Sequence, residues 1–349
     1  MMRALTVIPG QPHSARLEEV PEPPVDDGAM LLEVLAIGVC GTDREIVDGA
    51  YGAAPDGRER LILGHESVGR VLEASAGTGF SRGDLVVGIV RRPDPVPCVN
   101  CAAGEWDMCR NGRYTERGIK QRNGYASERS RVEPEYAVKV PGALASVAVL
   151  IEPASIVAKA WEHVEHIGRR ACWRPSRVLV TGAGPIGLLA AMMGVQRGLD
   201  VYVLDRVTDG PKPRLVDDLG ATYHVGPVAD ACPVADVVIE CTGAGQILFD
   251  VMAGTARGGI VCLTGISSGH HDIDLDAAAF NRALVLENDV VFGSVNANRR
   301  HYEAATESLT RADPRWLQRL ITRRVPLGRW REALEPRPDD VKVVIDFTA

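Results

Sequence analysis

The chain has 349 residues, more than one hydrophobic core usually serves, so we expect two domains. Hydrophobic residues make up 46% and charged residues 24%, which is typical of a folded, water-soluble protein and argues against long disorder. The net charge of −7 and the lack of a basic run argue against nucleic acid as a partner. The opening "MMRALTVIPGQPHSARLEEV" lacks the pattern of a signal peptide, so we expect a cytoplasmic protein with reduced cysteines and no membrane partner.

The chain is rich in predicted β-strands to about residue 150, and this part contains four side chains that suit a metal ion. Cys40 stands in the glycine-flanked turn of "GVCGTD", His65 and Glu66 are adjacent in "ILGHESVG", and Glu152 follows in "LIEPAS". Thiolate, imidazole and carboxylate are donors that tetrahedral zinc accepts. Taken singly, each residue would also suit a buried thiol, a core histidine or a surface acid. In a chain that also carries a dinucleotide-binding motif, the four together favour catalytic zinc.

That motif lies in "RVLVTGAGPIGLLAAMMGVQRGLDVYVLD", which predicts a strand, a helix and a second strand ending at Asp205. Gly182, Gly184 and Gly187 form GxGxxG between the first strand and the helix. The first glycine permits a tight turn, the second lets backbone approach a pyrophosphate, and the third lets helix and strand pack closely. An acid 18 residues after the last glycine strengthens the prediction of a dinucleotide site. A strand followed by a helix also explains this apolar run better than a membrane span does.

Further strands are predicted at "ADVVIECTG", "GGIVCLTG" and "VVFGSV", with helix-compatible segments between them, which is the pattern of a doubly wound parallel sheet. Asp205 can accept a hydrogen bond from the adenosine ribose and would repel a 2′-phosphate, which favours NAD. Arg206, with Lys212 and Arg214 nearby, can instead hold a 2′-phosphate, so NADP stays open. The tail should return to the first domain with a half-buried last strand, and we assign it no chemistry.

Several motifs occur in the order seen in zinc-dependent medium-chain dehydrogenases, the alcohol dehydrogenase superfamily: "GVCGTD", "GHESVGRV", "GDLVVG", "CVNCAAGEWDMC", "GAGPIGLLAA" and "IECTG". The chain resembles this family over nearly its whole length. Within it, "CGTDREIV", "GHE", "VRRP", "EPAS" and "GSVNAN" are most similar to the glucose 1-dehydrogenase branch.

The resemblance implies an α/β fold class with two domains. A GroES-like β-barrel catalytic domain would take residues 1–174 and be completed by residues 297–349. A Rossmann domain with a doubly wound parallel sheet would take residues 175–296, with the active site in the cleft. Members of the family commonly join Rossmann sheets edge to edge through the strand that corresponds to "VVFGSV", so a homodimer or homotetramer is expected.

The resemblance also implies roles for single residues. Zinc would bind Cys40 and His65, with Glu66 and Glu152 as direct or exchanging ligands, and Thr42 would lie beside the reacting oxygen. The residues expected to contact sugar hydroxyls are Glu116, Glu152 and Asn296. The residues expected to bind the cofactor are Gly182, Gly184, Pro185, Ile186, Gly187, Asp205, Arg206 and Thr242.

The expected reaction moves a hydride from the anomeric carbon of an aldose to NAD(P) and gives a lactone, with zinc as a Lewis acid that lowers the pKa of the substrate hydroxyl. The same chemistry on a polyol, a cyclitol or an amino alcohol such as threonine is an alternative, and a non-catalytic dinucleotide sensor is another. Glu45 stands where many alcohol dehydrogenases have a proton-relay histidine. Ile156 and Val90 replace polar residues that some sugar enzymes have near the substrate, so the sugar stays open.

The remaining cysteines fall into two sets. Cys98, Cys101 and Cys109 resemble the structural-zinc lobe of the superfamily, whose fourth cysteine is replaced here by Pro95. Asp94 would complete a Cys₃Asp site if the loop bends, and a metal-free lobe is equally compatible. The cysteines without ligand spacing are Cys172, Cys232, Cys241 and Cys262, of which we expect Cys241 and Cys262 to be core thiols.

Overall fold

The computed structural model describes residues 1–267 and 272–349. The chain divides into one unit of Met1–Ser155 with Asn296–Ala349 and a second unit of Ile156–Val295. The predicted domain boundaries after residues 174 and 296 stay a prediction.

The part of the first unit that precedes the second is built mainly from short strands. Its strands are β1 (Met2–Val7), β2 (Arg16–Val20), β3 (Met30–Val39), β4 (Leu61–Ile62), β5 (Glu66–Glu73), β6 (Leu85–Gly88), β7 (Arg91–Arg92), β8 (Thr115–Arg117), β9 (Gln121–Arg122), β10 (Arg129–Val132) and β11 (Ala137–Lys139). Its helices are α1 (Gly41–Val47), α2 (Val99–Ala102) and the start of α3 (Ile151–Gly168), which crosses into the second unit.

The second unit alternates strands and helices, as predicted. Its strands are β12 (Arg177–Thr181), β13 (Asp200–Leu204), β14 (Thr222–His224), β15 (Ala235–Glu240), β16 (Thr255–Leu263) and β17 (Val290–Gly293). Its helices after α3 are α4 (Pro185–Gln196), α5 (Pro211–Asp218), α6 (Val228–Ala231), α7 (Gly245–Ala253) and α8 (Ala277–Glu287). The chain then returns to the first unit with α9 (Arg299–Arg311), α10 (Pro314–Leu320), β18 (Ile321–Pro326), α11 (Trp330–Leu334) and β19 (Lys342–Asp346).

The largest sheet of the first unit has the order β11-β6-β5-β3-β19-β18, with β10 also paired to β3. Its apolar core includes Val34, Ile37, Val71 and Val343. β19 pairs antiparallel with β3, which confirms that the tail returns to this unit. The prediction of a half-buried last strand is wrong, because β19 lies between β3 and β18 and its first four residues are buried.

The sheet of the second unit is parallel throughout and has the order β14-β13-β12-β15-β16-β17. This order confirms the predicted doubly wound sheet, although β14 is a strand of only three residues that the sequence did not reveal. The strand order reverses between β12 and β15, and such sheets bind ligands at the carboxyl ends of the strands there. The glycine-rich turn follows β12, and Thr242 follows β15.

Within the ranges described, no helix combines the length and apolar character needed to span a bilayer.

Candidate active site

Cys40 and His65 come together in the first unit from two different elements. Cys40 directly precedes α1, and His65 directly precedes β5. The Cys40 Sγ lies 3.1 Å from the His65 Nε2. The predicted thiol and imidazole ligands are therefore close enough to bind the same metal ion.

Asp43, a residue that the sequence analysis did not single out, supports this pair. It is buried, its Oδ2 accepts a hydrogen bond from the Cys40 backbone N–H at 2.9 Å, and its Oδ1 lies 3.4 Å from the His65 Nδ1. Burial disfavours a charged imidazole, but Cys40 and Asp43 outweigh it and raise the pKa of His65 well above its usual value. A carboxylate behind a histidine fixes which ring nitrogen faces a metal. The signal was present in "CGTD", three residues after Cys40.

Glu66 is bonded to a lysine that the sequence analysis also missed. The Lys342 Nζ lies 2.7 Å from Oε1 and 2.6 Å from Oε2 of Glu66 and donates to the Val39 carbonyl at 3.2 Å. Both side chains are buried, with 1% and 2% of their areas exposed. Burial alone would lower the pKa of Lys342, but Glu66 and then Cys40 raise it, so the ammonium stays charged. A single lysine in a predicted strand carries no sequence signal for such a partner.

Cys40, His65 and Glu66 each offer a ligand atom, and these atoms all lie within 4.8 Å of one another. The donor set of thiol, imidazole and carboxylate fits zinc, and Asp43 provides the outer partner that zinc-bound histidines usually have. Glu152 lies outside this group of mutually close ligand atoms.

Glu152 is the second residue of α3 and is buried. Burial, and then the charges of Glu66 and Asp43, raise its pKa to about 7, while His65 and Lys342 act in the opposite direction. The pKa of Glu152 therefore depends on the charges of the residues around the metal-binding group. Thr42 lies in the first turn of α1 and is half-buried.

Glu116 and Asn296, predicted as sugar contacts, lie together although 180 residues separate them. The Asn296 Nδ2 donates to the Glu116 Oε1 at 2.5 Å, and both residues are buried. Asn296 has a left-handed backbone with a φ of 63°, a conformation that asparagine adopts more readily than most residues. Arg91 also donates to Glu116 Oε1 and is a third residue that the sequence analysis missed.

The glycine-rich turn in the second unit has the predicted geometry. Gly182 has a φ of 86°, and a Cβ atom added to Gly187 would lie 1.7 Å from the Gly182 carbonyl oxygen. A Cβ atom at Gly184, just before α4, would meet nothing within 4 Å. Two of the three glycines are thus required by the protein's own backbone, whereas the second leaves open space at the helix N-terminus. Pro185 and Ile186 begin α4 and are half-buried.

Asp205 is engaged by the protein itself. Its Oδ2 accepts a hydrogen bond from the Ala183 N–H at 2.6 Å and lies 3.4 Å from the Lys212 Nζ, and its Oδ1 accepts from the Val207 N–H. Asp205 therefore holds the glycine-rich turn, and Lys212 balances its charge. Arg206 is exposed.

Thr242 is exposed two residues after the end of β15, and its backbone N–H donates to the Glu240 Oε1 at 2.6 Å. Glu240 is fully buried and also accepts a hydrogen bond from the Thr181 hydroxyl at 3.1 Å. It joins the ends of β12 and β15 and was not foreseen, because one acid at the end of an apolar strand has no distinctive pattern.

The sulfur atoms of Cys98, Cys101 and Cys109 lie within 4.8 Å of one another. Backbone N–H groups of Arg110 and Cys101 lower the pKa of Cys98 to about 6. Asp94 is not brought into this group, because its carboxylate accepts hydrogen bonds from the Val96 N–H and the side chains of Asn111 and Arg113.

The other four cysteines are free thiols. The prediction of a core thiol is confirmed for Cys262, which is fully buried, and is wrong for Cys241, which follows β15 and is only half-buried. Desolvation still raises the pKa of Cys241 to about 12.

Comparison with known proteins supplies the family. The model "Glucose dehydrogenase C-terminus" matches residues 145–347, and "Alcohol dehydrogenase GroES-like domain" matches residues 26–142. The chain belongs to the glucose 1-dehydrogenase branch of the medium-chain dehydrogenases. It is 40% identical to a glucose 1-dehydrogenase of Methanocella arvoryzae, with 100% of each chain covered, and 42% identical to one of Thermoproteus tenax, with 99% of each covered.

The chain is also similar to a solved glucose dehydrogenase structure. Haloferax mediterranei glucose dehydrogenase in complex with NADP, Zn and gluconolactone matches with a TM-score of 0.92, 34% identity and 100% of both chains covered. Family membership confirms the predicted fold class, a GroES-like domain with a Rossmann domain.

Proposed function

We propose that this protein is a zinc-dependent oxidoreductase that moves a hydride from the anomeric carbon of an aldose to NAD(P), giving a lactone. The observation that carries the proposal is the buried pair of Glu116 and Asn296 in the same unit as Cys40 and His65. Acid and amide groups suit a polyhydroxylated substrate, because a small apolar alcohol could not donate to the Glu116 Oε2, and a desolvated acceptor without a donor costs about 1–3 kcal/mol. The relatives named glucose 1-dehydrogenase support the substrate class.

When bound, zinc supplies a Lewis acid that lowers the pKa of the reacting hydroxyl, and the nicotinamide accepts the hydride. Cys40 and His65 would hold the metal, and Asp43, beside the His65 Nδ1, would keep the His65 Nε2 directed toward it. Thr42, in the first turn of α1, would donate or accept a hydrogen bond at the reacting oxygen.

We assign the proton step to Glu152. Glu152 is a buried carboxyl group in the same unit as Cys40 and His65, and burial raises its pKa from 4.5 to about 7, which suits a general base near neutral pH. Glu66 would serve as a direct or exchanging ligand, and Lys342, which donates to both of its oxygens, would balance its charge.

We propose that both NAD and NADP are accepted. The carboxylate of Asp205 is already satisfied by backbone N–H groups and Lys212, so it repels a 2′-phosphate less than a free acid would. Arg206 and Arg214 are exposed in the same segment and can pair with that phosphate.

We also propose that the three-thiol lobe binds zinc weakly, because Asp94 is held elsewhere and a tetrahedral site needs a fourth ligand. Zinc measured per chain after dialysis against a mild chelator should then fall from two ions to one.

Initial rates on aldoses, polyols and threonine, each with NAD and with NADP, test the main proposal. Aldose turnover should disappear with a strong chelator and return with added zinc. A Cys40→Ser variant should bind cofactor normally and lose turnover. Activity confined to polyols or amino alcohols would replace the aldose by one of these substrate classes. No turnover despite bound zinc and cofactor would favour a non-catalytic dinucleotide sensor.

We propose further that two copies pair through β17 and α8. β17 is the last strand of its sheet and is only half-buried. No residue of α8 is buried, and Val285 and Leu286 are 65% and 71% exposed. An apolar edge strand beside exposed aliphatic side chains suits a second copy of the same edge and agrees with a homodimer or homotetramer.

A further inference from the structure

We infer that Arg91 is a positioning residue for sugar recognition: it fixes Glu116 with one carboxylate oxygen occupied and the other available to a substrate hydroxyl. This inference rests on the proposed aldose dehydrogenase function and assigns its selectivity to a residue outside the metal-binding group.

The two residues face each other across a strand pair. β7 and β8 are antiparallel, and Arg91 is the direct partner of Glu116 in their register. The Arg91 Nε and Nη2 lie 3.2 Å and 3.0 Å from the Glu116 Oε1. Only 5% and 7% of the two side-chain areas are exposed. Directly opposed residues on one sheet face hold each other in place, and a buried ion pair is weakly screened by solvent.

The Arg91 guanidinium is itself immobilised on two further sides. Its Nη1 donates to the Asp107 carbonyl at 2.9 Å, and its plane lies over the Tyr114 ring, 3.6 Å from the ring centre. The Lys120 Nζ lies 4.2 Å from the same ring centre, so Tyr114 contacts two cations. A planar fork that is stacked and bonded in this way presents its N–H groups in one direction, which the flexible ammonium of a lysine would not do.

Asn296 completes the arrangement on the same oxygen. Its Nδ2 donates to Oε1 at 2.5 Å, so three N–H groups converge on that atom. No described residue donates to the Glu116 Oε2, and this atom is not enclosed in the protein. A carboxylate oxygen only accepts hydrogen bonds, so a hydroxyl group is a partner that Oε2 can take.

The orientation of Glu116 therefore depends on Arg91. Without the fork, Glu116 could rotate and turn either oxygen toward Asn296, and the accepting atom would no longer have a defined place. A site built to bond one hydroxyl discriminates strongly against an analogue that lacks it, and this discrimination requires the acceptor to be held.

Arg92 provides a matched control. It is adjacent to Arg91 on β7, equally buried with 4% of its area exposed, and likewise paired with a glutamate, Glu133, at 2.7 Å. Neighbouring residues on a strand point to opposite faces, so Arg92 does not donate to Glu116. Its replacement by lysine alters a comparable buried ion pair on the same strand without touching Glu116.

The experiment compares Arg91→Lys with Arg92→Lys in the zinc-loaded enzyme, using glucose and its 2-, 3-, 4- and 6-deoxy analogues. Arg91→Lys should raise KM for glucose about tenfold or more with kcat changed less than about threefold. Its preference for glucose over one deoxy analogue should fall by a similar factor, about tenfold. The affinity for gluconolactone, measured by calorimetry, should weaken in parallel, whereas Arg92→Lys should keep the preference of the wild type.

Glu116→Gln, which keeps Arg91, provides a second variant if Arg91→Lys does not fold, and it should lose discrimination at the same hydroxyl. Unchanged discrimination in Arg91→Lys or in Glu116→Gln, with an active wild type, would overturn the inference alone. A wild type that turns over no aldose would reject the proposed function, and the inference with it.

Discussion

Asp43 and Lys342 are buried charges that contact the metal-binding residues His65 and Glu66. Asp43 carries the negative charge behind His65, and Lys342 neutralises Glu66. Charges in such places control ligand geometry and affinity without touching the metal.

Asp43→Asn should weaken zinc binding by about 10- to 100-fold, because an amide orients His65 less strongly than a carboxylate. Competition with a chromogenic chelator measures the zinc affinity without using activity. Asp48→Asn changes an exposed acid just after the same helix and should leave the affinity as it was. Equal affinities for wild type and Asp43→Asn would show that Asp43 does not support the ligand.

Lys342→Met should lower the free energy of unfolding by about 3–5 kcal/mol, because it leaves Glu66 as a buried carboxylate without its cation. Denaturant unfolding of the metal-free protein measures the loss, because zinc could otherwise take the place of the lysine beside Glu66. The double variant Lys342→Met with Glu66→Leu removes both charges and should recover much of the stability. A double variant less stable than Lys342→Met would contradict the explanation.

At the scale of elements, the glycines of the glycine-rich turn serve two purposes. We expect that Gly187 is needed for folding and that Gly184 is needed for binding the cofactor. Gly187→Ala should destabilise the cofactor-free protein, since its Cβ atom would lie 1.7 Å from the Gly182 carbonyl oxygen. Gly184→Ala should unfold like the wild type, because a Cβ atom there meets nothing within 4 Å, yet it should bind the dinucleotide more weakly. Thermal unfolding and cofactor titration distinguish the two effects, and equal stability of both variants would contradict this account.

A second prediction at this scale concerns Glu133, which follows β10 and joins it to the small sheet of β7, β8 and β9. Burial would raise its pKa, but Arg92, Arg117 and Arg122 lower it from 4.5 to about 2. A carboxyl group with a lowered folded-state pKa stabilises the fold above its unfolded-state pKa. That stabilisation is lost as the pH falls from about 4.5 toward 2.

Between these pH values the wild type should lose up to about 3 kcal/mol more stability than Glu133→Gln, which has no proton to bind. Unfolding measured at several acidic pH values tests this. Glu135→Gln replaces an exposed neighbour and should follow the wild type. A Glu133→Gln variant with the acid sensitivity of the wild type would contradict the assignment.

At the scale of the whole molecule, the proposed pairing through β17 and α8 gives Leu286 a partner in a second copy. Leu286→Lys should therefore reduce the mass in solution, measured by light scattering, because it places charges at an apolar interface. Val25→Lys changes a residue of similar exposure, 66%, in the first unit and should leave the mass unaltered. A monomeric wild type would reject the pairing.

The sequence by itself determined the features whose cause is local. Gly182 and Gly187 are demanded by their own backbone, Cys40 and His65 lie in short motifs at the ends of elements, and the alternation after residue 176 specifies a parallel sheet. Glu116 and Asn296 were predicted through resemblance to a family, since nothing in their own neighbourhoods indicates that they meet.

The tertiary structure alone decided which charges pair. Lys342 reaches Glu66 across 276 residues of sequence, and Arg91 opposes Glu116 only because of the register of β7 and β8. A slip of one residue turns every side chain of a strand to the other face, so such pairs depend on the assembled sheet. The same holds for Asp94, whose carboxylate bonds to Asn111 and Arg113 and does not join the three thiols. Burial and strand register, which cannot be read from a short segment of sequence, thus determine which charged residues pair around the site.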